Sequence, residues 1–162
     1  MNLLKLRTNQ KGFTLVELLV VIGILAVLLA IVLIAVNPAR HFAEANNSKR
    51  RSDVSAILNA VHQYMVANNG TPPAGITTTD KTITGTVGAT NIDLCTALGT
   101  YQNYIADLPL DPQTGTDGTP STPACDGNDY DTQYTIRNSA TGNRITVSAP
   151  DAQLGQTISV TR

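Results

Sequence analysis

The chain has 162 residues, enough for one domain and an anchor, and a formal net charge of −1. The near-zero balance hides an uneven distribution. Residues 1–12 carry Lys5, Arg7 and Lys11 and no acid, whereas residues 54–162 carry nine Asp against Lys81, Arg137, Arg144 and Arg162, a balance that does not indicate nucleic-acid binding. Trp is absent and only seven residues are aromatic, so the core must be built from small aliphatics, and so modest a core calls for covalent or assembly support.

In chain order, the first element is apolar. Nineteen consecutive residues, 18–36, are drawn only from Leu, Val, Ile, Ala and Gly. Counted from Phe13 the segment has twenty-four residues, interrupted by Thr14 and Glu17. As a helix it spans roughly 36 Å, against about 30 Å for a bilayer core. It is longer than an ordinary secretory h-region and no small-residue cleavage site follows it, which points to a retained span. Basic residues flank it on both sides (Lys5, Arg7 and Lys11 before, Arg40, Lys49, Arg50 and Arg51 after), so charge counting leaves topology open. Glu17 has three readings: it lies near the membrane surface, burial keeps it neutral, or a cationic partner satisfies it.

The residues KGFTLVELLVVIGILAVL, 11–28, resemble the class III signal of type IV prepilins. The resemblance covers residues 5–36. It implies a short basic leader, 1–12, removed by a prepilin peptidase after Gly12. It implies N-methylation of the new N-terminal residue, Phe13, and an assembly role for Glu17. A Phe13 amine on one copy would then meet Glu17 on another, since a paired charge in an apolar core costs less than a lone one and can fix register. The family further implies self-association into a helical homopolymer, an inner-membrane platform protein and an ATP-driven assembly machine. The expected location is the cytoplasmic membrane, as a single-pass precursor with its N-terminus in the cytoplasm, and then a cell-surface filament.

Asn37-Pro38 follows the span of residues 13–36. Proline removes a helical hydrogen bond and disfavours helix in the residue before it, so Pro38 marks a kink or a brief break. Helical spacing resumes with Val54, Ile57, Leu58, Val61, Tyr64 and Met65 on one face, and Asn69-Gly70 followed by Thr71-Pro72-Pro73 ends it. Residues 37–69 thus form the amphipathic second half of one long helix. The charge run Lys49-Arg50-Arg51-Ser52-Asp53 reads as a solvated face, or as a lateral contact with acidic heads.

Residues 70–162 form the head. Twenty of the last ninety-two residues are Thr, which favours strands and turns over helix interiors. Strands are expected over 81–87, 130–138, 143–149 and 156–162, and a short helix over 94–104. The fold class is α+β: a long kinked helix whose amphipathic half packs on a small antiparallel sheet, as in pilins. Residues 108–128, with Pro109, Pro112, Pro120 and Pro123, read as a long irregular loop. Cys95 and Cys125 bracket it. In an exported head they would form a disulfide, stabilising by roughly 3–4 kcal/mol in the chain-entropy model, and two free thiols are the alternative.

The cluster from Asp126 to Asp131 offers oxygen ligands of the kind Ca²⁺ takes, but Gly127 is misplaced for an EF-hand and no Glu follows. Solvated turn acids and a Ca²⁺ loop like that of major pseudopilins both fit, and no metal or other cofactor is assigned. Leu108-Pro109-Leu110-Asp111-Pro112 looks like a Leu-Pro-x-Asp-Pro motif of the same pseudopilins.

No phosphate loop, Gly-x-Ser-x-Gly, His-Glu-x-x-His or dinucleotide fingerprint occurs, and His41 and His62 lack ligand spacing with the cysteines, so no catalytic residue is assigned and the chain does not read as an enzyme. The reading is the major structural subunit of a type IV pilus. The alternatives are a major pseudopilin of type II secretion and, in a different class, a single-pass membrane-anchored binding protein.

Overall fold

The computed structural model describes residues 12–99, 104–116 and 130–162. The chain divides into two units, Met1–Ala39 and Arg40–Arg162.

The first unit is carried by α1, Leu15–Val36, twenty-two residues and so roughly 33 Å long. It is apolar on every side, long enough to cross a bilayer, and has no buried residue among the described residues. Asn37 ends it in the left-handed region at φ 45°. Pro38 then opens α2, Pro38–Ala67, at the first helical position, where its missing N–H costs nothing. The helix is therefore broken over one residue, the brief interruption expected at Asn37-Pro38. At the far end of α2, Gly70 at φ 81° donates its N–H to the Met65 carbonyl at 2.7 Å and stops the helix.

In the second unit α2 buries Val54, Ile57, Leu58 and Val61 completely, with Met65 nearly so. Its cover is a five-stranded sheet in the order β2-β1-β3-β4-β5, from β1 Lys81–Thr84, β2 Asn91–Ile92, β3 Asp131–Asn138, β4 Ile145–Ala149 and β5 Ile158–Thr161. Strand alternation supplies the inner face: Tyr134 and Ile136 on β3, Ile145 and Val147 on β4 and Ile158 on β5 are buried. Ile83, Leu94, Leu98 and Leu108 complete the core. Each such aliphatic contributes about 1.5–3 kcal/mol on burial, so small residues suffice only because nearly all are fully covered.

Two expectations need correction. The sheet is mixed, because β2 runs parallel to β1 with Thr82 opposite Asn91. Its two residues are too short to show an alternating pattern. The helix expected over 94–104 is a single π turn, Cys95–Gly99, and residues 100–103 lie outside the described part. β3 also carries a bulge: Gln133 sits at φ 61° where the register against β1 shifts, and both its N–H groups bond to Asp131.

Of the irregular loop expected over 108–128, residues 108–116 are described and hold one turn and an isolated bridge from Thr116 to Asp131. Leu108 and Asp111 are buried, and the Asp111 N–H bonds to the Thr132 carbonyl at 3.1 Å. Residues 117–129, with Cys125 and Asp126, lie outside the described part.

Candidate assembly site

The apolar helix begins with a local carboxylate cap. Thr14, in extended backbone, is the N-cap, and its hydroxyl accepts the Glu17 N–H at 3.2 Å. Glu17 reaches back: its Oε2 accepts the Thr14 N–H at 2.9 Å and the Thr14 hydroxyl at 2.8 Å. This is a capping box, which satisfies two otherwise orphaned helical donors and places negative charge at the positive helix end. None of the three sequence readings of Glu17 included it, although Thr14-x-x-Glu17 is its signature. Oε1 takes no part in the cap.

Gly12 and Phe13 precede the cap and are exposed, Phe13 to 90%. A Cβ built on Gly12 would meet nothing within 4 Å, so the fold places no steric demand for glycine there. Beyond the cap, α1 presents only aliphatic surface. Each Val, Leu or Ile left in water forgoes about 1.5–3 kcal/mol, and none of them is buried among the described residues.

A second site ties α2 to the loop after Leu108. Arg50 is buried and bidentate: Nε donates to Asp111 Oδ2 at 2.6 Å and Nη2 to Oδ1 at 2.9 Å. Asp111 Oδ1 also accepts the Gln113 and Thr114 N–H groups. Burial alone would raise this carboxyl, but Arg50 and those two N–H groups outweigh it and hold it below the usual carboxylate range. Asn47, fully buried, accepts from Arg50 Nη1 and from the Gln153 N–H, and donates to the Gln153 carbonyl at 2.8 Å. Asp53 takes the Tyr134 hydroxyl at 2.8 Å and Lys49 Nζ at 2.9 Å. Burial first, and then Asp53, push the Tyr134 phenol above its ordinary value, so it stays a donor.

The run from Lys49 to Asp53 is thus neither wholly solvated nor set aside for neighbours. Lys49, Arg50 and Asp53 are spent inside the head, and Arg51 donates to the Gln156 side chain. The cause is a carboxylate 61 residues away, which local spacing cannot reveal.

Cys95 is buried and the described residues hold no free cysteine, while Cys125 lies outside them. Most of the acidic cluster from Asp126 also lies outside, and the described residues contain no group of three or more acidic, His or Cys side chains placed to hold a metal. His41 lies 3.7 Å from Glu44, and the half-buried His62 has no hydrogen-bond partner for Nε2 among the described residues.

The model of the prokaryotic N-terminal methylation motif matches residues 7–33. The chain is 34% identical over 104 residues to the type II secretion system core protein G of Escherichia coli (strain K12), a match covering 64% of this chain and 67% of that protein. No solved structure matches the chain.

Proposed function

Since the chain belongs to the type IV pilin and pseudopilin family, we propose that it is a filament subunit made as a membrane-anchored precursor and polymerised through α1. One observation carries this reading: a twenty-two-residue helix, apolar on all sides, with no residue buried among the described residues. Lipid covers it before assembly and copies of the same helix cover it afterwards. The leader, residues 1–12, is removed at Gly12–Phe13, and Phe13 becomes the N-methylated terminus. The glycine that the fold does not need is then a requirement of the peptidase. Glu17 exchanges its cap for the Phe13 amine of a neighbour. The platform protein and assembly ATPase named by the resemblance supply the lift, and the subunit itself performs no chemistry.

The finer reading is the pseudopilin. Likeness to core protein G supports it, and so does the Leu108–Pro112 motif, whose Asp111 is built into the head by Arg50. One observation favours the major pilus subunit instead. The outer face of the sheet carries a row of hydroxyls, with Thr82 opposite Thr135, Thr135 opposite Ser148 and Ser148 opposite Ser159, as suits a surface-exposed filament.

Mass spectrometry of the exported protein tests the common core: N-methyl-Phe13 is expected, and an intact leader on exported protein overturns it. Glu17→Ala should leave cleavage and membrane insertion intact and reduce filaments seen by electron microscopy. A normal yield removes the registry role. Dependence of the filaments on a secretion apparatus, against free pili on the cell surface, separates the two finer readings.

A further inference from the structure

Strand pairing sorts the charges of the head by end. β3 runs antiparallel to β1 and β4, and β4 antiparallel to β5. The start of β1, the end of β3, the start of β4 and the end of β5 therefore share one end of the sheet. Lys81, Arg137, Arg144 and Arg162 are all there, with Asp80 as the one acidic side chain among these strand ends. The opposite end holds Asp131 at the start of β3, Asp93 just after β2, Asp151 just after β4, and Asp111 against Thr132. Arg50 pairs with Asp111, while Asp93, Asp131 and Asp151 form no ion pair among the described residues.

The eight residues of β3 separate the two ends by roughly 25 Å. The screening length in physiological salt is about 8 Å, so neither end neutralises the other through solvent. Each presents its own potential.

The basic end is also shaped. Thr78, Arg137, Asn138, Ser139, Arg144 and Thr161 line a recess of about 470 Å³. Arg137 is half exposed and lies 3.6 Å from an equally exposed Asp80, a pairing that an incoming carboxylate can replace, since such pairs are worth about 0–1 kcal/mol. Arg144 is exposed and makes no ion pair among the described residues. Asn138 Oδ1 is buried and has no hydrogen-bond partner among the described residues. The recess thus offers two cationic donors, Arg137 and Arg144, beside the hydroxyls of Thr78, Ser139 and Thr161. A peptide segment bearing an aspartate supplies a carboxylate for the two cations and backbone N–H groups for the hydroxyl oxygens.

Resting on the filament reading above, we propose that the Arg137–Arg144 end of the head docks the Asp151 end of another copy of this chain. Complementary patches at opposite ends of one molecule make a head-to-tail contact, and a head-to-tail contact that does not close into a ring grows an open helical filament. Asp151 is the exposed member of the acidic end, held by the Thr114 hydroxyl, with Asp131 beside the same edge.

The test uses the full chain in cells that export it. R137D/R144D should lower filament yield about tenfold, the scale set by losing cross-interface charge pairs, with leader removal and protein level unchanged. Adding D151R to the same chain should restore the yield, and R137Q/R144Q should fall between. In filaments of mixed subunits, R144C and D151C chains should crosslink to a dimer. Wild-type yield from R137D/R144D, or the absence of that crosslink, overturns the proposal. Failure of D151R to rescue, with R137D/R144D instead losing binding to phosphatidylglycerol vesicles, assigns the basic end to a membrane and overturns it too. Absence of filaments from the wild-type chain would sink the filament reading first, and this contact with it.

Discussion

Asp111 shows how one residue reorganises the reading of a loop. Its carboxylate closes on Arg50, and the loop closes around it: Gly115 donates to the Asp111 carbonyl at 3.1 Å, and a Cβ on Gly115 would lie 2.6 Å from the Asp111 nitrogen. Gly115→Ala should therefore displace Asp111 and lower the melting temperature of the detergent-solubilised full chain. Asp111→Asn leaves Arg50 buried without its counter-charge and should cost about 3–5 kcal/mol, whereas replacing both by apolar residues of similar volume should cost less. Acid should act through the same group. Its folded value is depressed, so its contribution is complete above the unfolded value of about 3.9 and is lost as pH falls from there through the folded value. Below pH of about 4 the wild type should lose stability more steeply than Asp111→Asn, as thermal melts across pH would show. None of this was readable from Lys49-Arg50-Arg51, because a charge run looks the same whether water or a distant aspartate answers it. The Thr14–Glu17 cap was readable, and the spacing alone would have identified it.

Among the elements, those with a repeated pattern were legible and those without one were not. The three-and-four spacing from Val54 to Met65 named the buried face of α2, and within the strand expected over 130–138 the buried residues Thr132, Tyr134 and Ile136 alternate. β2 escaped because two residues have no period, and only its pairing with β1 makes it a strand. The helix expected over 94–104 was placed but its length and type were not: Leu94 and Leu98 are buried, but one turn does not establish helical spacing. Packing across elements gives a direct test. Leu58 is wholly buried between α2 and the sheet, so Leu58→Ala should cost about 2–5 kcal/mol, measurable by denaturant unfolding in detergent. The exposed Val66, 84% accessible on the same helix, should tolerate alanine within about 0.5 kcal/mol.

For the whole molecule, the proposed membrane anchoring gives the two units different solvents. The α+β class and the family were legible because the N-terminal motif and the apolar run are continuous in sequence. The polarity of the head was not, because Lys81 and Arg162 come to share one end of the sheet only through the strand order. The proposed Cys95–Cys125 bridge belongs to this scale, since it would cross-link the chain over about thirty residues. Cys95→Ser should lower head stability by about 2–4 kcal/mol in the exported protein, and an unchanged melt with a titratable Cys125 thiol in the wild type would refute the bridge.

A cylinder that is alike on every side carries no preferred azimuth. Past Glu17, α1 has no stripe by which a neighbour could tell one flank from another, so in the proposed bundle its aliphatic side chains hold a subunit without fixing how it is turned about its own axis. Exchanges among Leu, Ile and Val along it should be individually silent, and the angular setting of each subunit must come from the parts of the chain that have distinguishable faces.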